Sequence, residues 1–357
     1  MVLEDFVKGR DNNFNLLRMV AAFSILIFHS FSLPYQETQI FFGFHIDDID
    51  DFFVHIFFVT SGFLVTASLL HRQSLADFLW ARALRIFPAL FFMLVLSVIL
   101  IGLFFSTLSL RDYFTNTDVY YYFVKCATLF SGVVYHLPGA FSENPTTAIN
   151  GSLWTLPYEV KLYALLASGW VALKIISPLK NEKLFKVFIS IIYISLALYL
   201  LVSIVLVEEY SEGKVVRFMF FAGSFFWVFR SHIIMRNSIF ILLVLLLSLS
   251  AYFNMTVFKI TYLASLPYIV FYLAYIPNGI VRKYNGLGDY SYGVYIYAFV
   301  IQQAIIAVTP NINGSTLVMY SSVVTLFIAI ISWHFVEKKA LRYKRTFILR
   351  KYDEKRN

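Results

Sequence analysis

The stretch Phe14-Asn-Leu-Leu-Arg18-Met-Val-Ala-Ala-Phe-Ser-Ile-Leu-Ile-Phe-His29-Ser-Phe-Ser-Leu33 is an apolar run interrupted by one arginine and one histidine. Its length matches the roughly 20 residues that a helix needs to cross the hydrocarbon core of a membrane. Arg18 and His29 are eleven residues apart, so on a helix they share one face about 16 Å apart along the axis. Ionisable groups in hydrocarbon cost roughly 2.5–3.5 kcal/mol each and usually face a cavity, a partner or a substrate path. The pair is therefore a candidate functional site. The alternative is that Arg18 anchors the helix end and His29 hydrogen-bonds within a bundle.

The composition of the chain is that of an integral membrane protein. Of its 357 residues, 59% are hydrophobic and only 14% are charged, compared with about 25% charged residues in a soluble domain. Cys126 is the single cysteine, so an internal disulfide is excluded, and no Cys/His spacing indicates a metal site. The net charge of +8 does not indicate a nucleic-acid partner, because nine basic residues are concentrated between Lys338 and Arg356.

Hydropathy predicts an all-α integral membrane protein, a bundle of about ten transmembrane helices. The first span has no small-residue cleavage site behind it, so we expect it to be retained as a signal anchor. With the N-terminus in the cytoplasm, 23 lysines and arginines fall on the cytoplasmic side and 5 on the other side, as the positive-inside rule requires. Both termini are therefore predicted to be cytoplasmic. The predicted spans are 14–33, 52–71, 85–106, 153–177, 185–207, 215–230, 237–253, 260–277, 289–309 and 316–336.

These spans form one predicted membrane domain, residues 1–340, followed by a basic cytoplasmic tail, residues 341–357. An acidic cluster that includes Asp50 precedes the second span, and such clusters are usually solvated loops. The longest outer segment, residues 106–151, contains aromatic and turn-forming residues. We expect this segment to lie at the membrane interface and to cover a cavity.

Arg82 and Arg85 lie three residues apart at the predicted start of the third span, so they share one helix face. Arg18 is predicted at the same membrane level. Guanidinium groups bind phosphate through a planar bidentate fork, which makes the three arginines a candidate phosphate site. The alternative is ordinary positive-inside anchoring.

Glu159 is predicted about a turn and a half inside the fourth span, close to the depth of His29. An intramembrane carboxylate beside an imidazole would orient the ring and raise its basicity, whereas a structural glutamate would cap neighbouring helices. Four further residues are candidates for lining the same cavity: His55, Ser61, Trp154 and Tyr158. Close helix packing is the commoner role for the small-residue patch around Ser61.

Six motifs, in order along the chain, resemble the acyltransferase-3 family of membrane-bound acyltransferases. Two departures from the family pattern concern acyl and acceptor specificity: no histidine follows Tyr295, where many relatives carry one, and His55 replaces an acidic residue. The motifs are Arg18 with His29; Phe57-Phe-Val-Thr-Ser-Gly-Phe63; Arg82 with Arg85 before Pro88; Gly151-Ser-Leu-Trp154 with Glu159; Leu287-Gly-Asp-Tyr-Ser-Tyr-Gly-Val-Tyr295; and Phe335-Val-Glu337.

The resemblance implies a multi-pass enzyme of the bacterial cytoplasmic (inner) membrane, an acyltransferase that transfers groups other than aminoacyl groups. Such an O-acetyltransferase would move an acetyl group from cytoplasmic acetyl-CoA to a hydroxyl of a surface glycan such as the O-antigen of lipopolysaccharide. It implies that Arg18 and His29 are essential and that Arg82 and Arg85 contact the acyl-CoA donor. Its partners would be acyl-CoA, a glycan or lipid-linked glycan, and membrane lipid, with no bound cofactor, metal or nucleic acid.

From the residues we expect His29 to be the general base and Glu159 to orient it. A covalent acyl-enzyme on Ser61 or His29 is an alternative to direct transfer. A transporter or flippase of a lipid-linked glycan is the alternative function, because it too would carry intramembrane charges. The absence of an inverted repeat in the sequence counts against this alternative.

Overall fold

The computed structural model describes residues 1–7, 9, 11–35, 40–41, 44–72, 74–177, 181–207 and 211–343. Within these residues the regular secondary structure is helical, apart from an antiparallel pairing of two-residue strands, β1 (Ile40–Phe41) and β2 (Phe44–His45). Most of the predicted basic tail, from residue 344 onward, lies outside the described residues. The helices are α1 (Leu3–Phe6), α2 (Phe14–Ser32), α3 (Ile46–Arg72), α4 (Leu75–Phe104), α5 (Leu110–Thr115), α6 (Thr117–Thr128), α7 (Thr155–Ile176), α8 (Asn181–Val202), α9 (Glu212–Val228), α10 (Asn237–Phe253), α11 (Met255–Tyr275), α12 (Ile280–Lys283), α13 (Ser291–Val308) and α14 (Gly314–Ser332).

A helix occupies each of the ten predicted spans. Within the described part of the chain, seven helical segments are long and apolar enough to cross a membrane: those of α2, α3, α4, α8, α11, α13 and α14. The helix α7 carries Glu159, Lys161 and Lys174, and α9 and α10 have 17 residues each. The protein is therefore a helical, multi-pass membrane protein, and the count of ten crossings with cytoplasmic termini stays a prediction.

Two helices begin earlier than the hydropathy pattern predicts. The third span is predicted from residue 85, but α4 begins at Leu75, because the hydroxyl of Ser74 accepts a hydrogen bond from the backbone N–H of Asp77 and caps the helix. Arg82 and Arg85 consequently lie two to three turns inside α4 rather than at its start. The helix α3 also begins early, at Ile46, six residues before the predicted second span.

The chain divides into two compact units, and three of the five boundaries between them fall inside α2, α3 and α7. The first unit comprises Met1–Ala21, Val54–Gln73 and Leu162–Gly288. In it, α3 and α9 approach backbone to backbone, since a Cβ atom at Gly62 would overlap the carbonyl oxygen of Phe220. This contact supports a packing role for the small-residue patch around Ser61.

The second unit comprises Ala22–Phe53, Ser74–Lys161 and Asp289–Asn357. Here α13 packs closely on α14, where a Cβ atom at Gly293 would press against Ala329. The irregular segment after α6 is fastened to α13 by side-chain hydrogen bonds of Gln303 to the backbone of Thr146 and Ala148. A buried apolar cluster joins the end of α2 to α13 and α14; its members are Leu33, Phe299, Ile306, Ile312 and Leu317.

Candidate active site

His29 lies near the end of α2, in the second unit, and its side chain is 15% exposed. Its Nε2 atom is 2.7 Å from Oδ2 of Asp50 on α3. The ring also meets Phe299 of α13 edge to face, with the ring centroids 5.4 Å apart. A carboxylate and an aromatic ring therefore fix the orientation of this imidazole.

The second ring nitrogen of His29 makes no hydrogen bond to the part of the chain that the structure describes. Its Nδ1 atom is buried and has no hydrogen-bond partner among the residues that the structure describes. Because a carboxylate is an acceptor, its contact with Nε2 assigns the ring proton to Nε2 and leaves the lone pair on Nδ1. In the neutral form of the ring, this arrangement makes Nδ1 the atom that can accept a proton.

Asp50 is the residue that sequence reasoning missed. The sequence predicts Glu159 as the orienting carboxylate and assigns Asp50 to a solvated loop, but in the structure the carboxylate bonded to Nε2 of His29 belongs to Asp50. The reason is the early start of α3, which takes Asp50 into the helix. A usable signal exists in the sequence, because Asp50 lies only two residues before Phe52, where the apolar run of the second span begins.

Glu159 lies on α7, in the second unit. It interacts electrostatically with Arg85 and with Tyr292 and Tyr295 of α13. The hydroxyl of Tyr295 donates a hydrogen bond to the carbonyl oxygen of Ser152 at 2.8 Å. Glu159 therefore belongs to the surroundings of α13, and an orienting role at His29 stays a prediction.

Trp154 and Tyr158, two predicted cavity-lining residues, stand at the start of α7. Their rings meet edge to face with centroids 5.7 Å apart. One turn before Glu159, the hydroxyl of Thr155 is 2.8 Å from that of Tyr295. The Gly151–Glu159 motif is thus fastened to α13, and the contact of Trp154 and Tyr158 with a substrate stays a prediction.

Arg85 brings three of the six sequence motifs together. Its Nη2 atom is 2.5 Å from Oδ2 of Asp289, and its Nη1 atom is 3.8 Å from Oε2 of Glu337. The guanidinium also lies over the ring of Tyr292, 5.7 Å from the centroid. Asp289 accepts a further hydrogen bond from the hydroxyl of Ser291 at 2.6 Å. Two carboxylates compensate the charge of Arg85, so a phosphate group would have to compete with them.

Arg82 and Arg18 are the other two arginines of the predicted phosphate site. Arg82 lies about one turn before Arg85 on α4 of the second unit. Arg18 belongs to the first unit, where its guanidinium is 5.5 Å from the ring centroid of Phe57. A joint role of these arginines in binding phosphate stays a prediction.

Comparison with known proteins decides the family. Residues 11–335 match the acyltransferase-3 family, which is described as an acyltransferase domain. The chain belongs to this family. It is 30% identical to the O-acetyl transferase of Shigella phage Sf6, covering 93% of this chain and 96% of the relative. It is 24% identical to nodulation protein 10 of Rhizobium leguminosarum bv. viciae, covering 96% of each chain. No solved structure matches. The protein is therefore an acyltransferase.

A second histidine of this acyltransferase, His55 of the first unit, has no open nitrogen. Its side chain is 0% exposed, its Nδ1 atom is 2.8 Å from the hydroxyl of Tyr262, and its Nε2 atom is 3.0 Å from Oε2 of Glu212. With the ring proton facing the carboxylate, the Tyr262 hydroxyl donates to Nδ1. The predicted cavity-lining role is not supported for His55, which instead ties α3 to α9 and α11.

Two other groups of the acyltransferase bear on its chemistry. The hydroxyl of Ser61 is 2.9 Å from that of Tyr163, so the predicted alternative carrier of the acyl group makes a side-chain contact between α3 and α7.

Cys126 lies on α6, outside the candidate spans. Its Sγ donates a hydrogen bond to the carbonyl oxygen of Val134, and burial raises the pKa of the thiol to about 11. Such a thiol is a poor nucleophile at neutral pH.

Proposed function

We propose that this acyltransferase is an O-acetyltransferase of the bacterial inner membrane that modifies a hydroxyl of a surface glycan, such as the O-antigen of lipopolysaccharide, with cytoplasmic acetyl-CoA as the donor. The observation that carries the proposal is the hydrogen bonding of His29. Its Nε2 atom contacts Asp50, while its Nδ1 atom makes no hydrogen bond to the described residues. The name of the phage relative, an O-acetyl transferase, supports the choice of acyl group and of a hydroxyl acceptor.

In the proposed reaction the acceptor O–H gives its proton to Nδ1 of His29 as its oxygen attacks the carbonyl carbon of the thioester. The new C–O bond replaces the C–S bond, and the thiolate of CoA leaves and takes the proton from the imidazolium. Asp50 holds the ring in the tautomer with Nε2 protonated and stabilises the imidazolium. General base catalysis of this kind contributes about 10²- to 10⁴-fold in rate.

The donor is proposed to bind at the other end of α2. Arg18 lies about 16 Å from His29 along that helix, a span that an extended pantetheine arm can cover. Arg82 and Arg18 would bind the phosphates of CoA as guanidinium groups do. Arg85 positions this region through Asp289 and Glu337 rather than binding phosphate, because its charge is already compensated.

Membership of an acyltransferase family favours this function over the transporter or flippase alternative. The ten helices are proposed to cross the membrane with both termini in the cytoplasm, in line with the distribution of basic residues. The N-terminal end of α2, with Arg18, then faces the cytoplasm, and the end with His29 faces the acceptor.

The test measures O-acetyl groups on surface polysaccharide by proton NMR, in cells that lack the gene and are complemented with the wild type, His29→Ala or His232→Ala. His232 is an exposed histidine of the first unit and serves as the matched control. Membrane levels of the three proteins are equalised. We expect acetylation with the wild type and His232→Ala and none with His29→Ala. Full acetylation with His29→Ala would rule out the mechanism, and acetyl content independent of the gene would rule out this function.

A further inference from the structure

A cavity of about 570 Å³ opens beside the end of α2, in the second unit. Its volume falls within the roughly 300–1,000 Å³ of small-molecule binding sites. Prolines form part of its wall, and their fixed φ angles make that wall rigid. The lining residues are Pro34, Glu143, Asn144, Pro145, Ile306, Ala307, Pro310, Asn311 and Ile312.

One wall of this cavity is held in place by reciprocal hydrogen bonds. The amide nitrogen of the buried Asn144 donates to the backbone carbonyl and to Oε1 of Gln303, at 3.0 and 3.1 Å. In return, Nε2 of Gln303 donates to the carbonyl oxygens of Thr146 and Ala148, at 2.8 and 2.6 Å. The segment 144–148 is thus fastened to α13, and the cavity exists before any ligand binds.

Two residues of the cavity lining belong to the apolar cluster that packs against His29. Ile306 and Ile312 line the cavity and belong to the same buried cluster as Phe299, whose ring packs against His29. Pro34 follows His29 by five residues, about 8 Å along a helix axis. Pro34 therefore places one edge of the cavity close to His29 along the chain.

A second open acceptor atom lies at the same level of α13. Gln302, between Phe299 and Ile306, donates from Nε2 to the carbonyl oxygen of Leu26 and to the hydroxyl of Ser30, both at 2.7 Å. These two bonds fix the orientation of the amide. Its Oε1 atom is buried and has no hydrogen-bond partner among the described residues. Gln302 is fully buried and is not among the residues that line the cavity, so this atom belongs to the interior of the second unit and not to the surface that a ligand would contact.

The polar groups of the lining match a saccharide. Glu143 and Asn311 are exposed side chains, and no hydrogen bond or ion pair engages either of them within the described part of the chain. A carboxylate and an amide bind sugar hydroxyls, while Pro34, Pro145 and Ile306 offer apolar surface to a sugar ring. Among the described residues, the lining contains no lysine or arginine, so an acidic sugar would meet a carboxylate without a compensating positive charge.

We propose that this cavity is the acceptor subsite, and that it binds an uncharged sugar unit of the glycan next to the unit that is acylated. The inference rests on the proposed function, because it assigns a location and a charge preference to the acceptor of that reaction. Glu143 and Asn311 contact the sugar hydroxyls.

The test separates glycan transfer from chemistry on the donor. The variants are Ala307→Trp, which fills the cavity, and Glu143→Gln, which removes the charge; their matched controls are Val308→Trp, on the adjacent exposed residue, and Glu182→Gln, in the first unit. Transfer is measured as O-acetyl content of surface polysaccharide at equal protein levels. Donor chemistry is measured without glycan as hydrolysis of acetyl-CoA, in which water accepts the acetyl group and CoA thiol is released, by the purified variants in lipid nanodiscs.

We expect Ala307→Trp to reduce acetylation at least tenfold and Glu143→Gln about fivefold, with thiol release within twofold of the wild type and both controls unaffected. Wild-type acetylation levels in Ala307→Trp would contradict the subsite while leaving the proposed function intact. A parallel loss of thiol release would also contradict it, because the cavity would then support catalysis and not the acceptor. A wild type that acetylates no glycan would overturn the proposed function, and the subsite with it.

The charge preference is tested by competition. Maltotriose, a neutral trisaccharide, and trigalacturonate, an acidic one, are added at equal concentrations to the wild-type transfer assay. We expect stronger inhibition by maltotriose, and a smaller difference between the two in Glu143→Gln. Inhibition by trigalacturonate that equals or exceeds that by maltotriose, or inhibition by neither, would contradict an uncharged-sugar site.

Discussion

Oδ2 of Asp50 lies 2.7 Å from Nε2 of His29, and the two side chains are 13% and 15% exposed. A histidine with one nitrogen bonded to a carboxylate has a defined tautomer, and the direction of its basic lone pair is fixed. In this acyltransferase the free lone pair belongs to Nδ1, which is buried without a hydrogen-bond partner in the described residues. The pair therefore defines where a proton can be taken up.

Asp50→Asn is expected to lower kcat by about 10²- to 10⁴-fold with little change in the KM for acetyl-CoA, because the amide no longer enforces the tautomer with Nε2 protonated. Steady-state kinetics of the purified variant measure both constants. Asp51→Asn, which removes the neighbouring charge, is the matched control and should retain the wild-type kcat. A kcat for Asp50→Asn within twofold of the wild type would show that this carboxylate does not orient the base.

The two histidines that contact carboxylates are expected to differ in their effect on activity. His29→Ala should abolish transfer, and it should also lower stability, because it removes the contact of Nε2 with Asp50 and the packing of the ring against Phe299. His55→Ala should lower stability by about 1–3 kcal/mol, because it leaves the Tyr262 hydroxyl without its partner, while the folded fraction stays active. Thermal unfolding and activity per folded molecule distinguish the two. An inactive but stable His55→Ala would place His55 in the reaction.

Arg85→Ala and Arg82→Ala are expected to differ, one mainly lowering stability and the other mainly raising the KM for acetyl-CoA. Loss of Arg85 leaves Asp289 and Glu337 without their compensating charge and should cost about 3 kcal/mol, the low end for breaking a buried ion pair. Loss of Arg82 should raise the KM for acetyl-CoA with a smaller effect on stability. Melting temperature and KM are measured on both variants. If Arg85→Ala raises the KM for acetyl-CoA and leaves stability unchanged, Arg85 binds the donor and the structural role proposed for it is wrong.

Gly62→Ala is expected to reduce the yield of folded protein, because the added methyl group would collide with the carbonyl oxygen of Phe220 where α3 meets α9. Overpacking of this kind costs about 1–3 kcal/mol or more. Gly286→Ala is the matched control in the same unit, since a Cβ atom there meets nothing within 4 Å. Size-exclusion profiles of both variants in detergent report the folded fraction. Equal yields would mean that the two helices can move apart without loss.

The positions of the helices could be predicted from the sequence, whereas the contacts between distant residues could not. Hydropathy located ten helices because apolar side chains dominate each, but it missed the polar first turns of α3 and α4 and therefore the place of Asp50. The ion pair of Arg85 with Asp289 joins residues 204 positions apart, and no local pattern encodes such a partner. His29 could be identified from the sequence, because placing a histidine in an apolar membrane-spanning run is energetically unfavourable and therefore indicates a function.

Cys126 is expected to react slowly with maleimides, because the thiolate is the reactive species and burial raises the pKa of this thiol to about 11. At pH 8 about one thiol in 10³ is then ionised, against roughly a quarter for a free cysteine with a pKa near 8.5, so labelling should be at least 100-fold slower. The rate should rise about tenfold per pH unit up to about pH 10 and level off above pH 11. The control is Phe130→Cys in a Cys126→Ala background, which places a thiol at a position that is 84% exposed. If Cys126 in the folded protein is labelled as fast as this exposed thiol at pH 7, the segment after α6 does not cover it in solution.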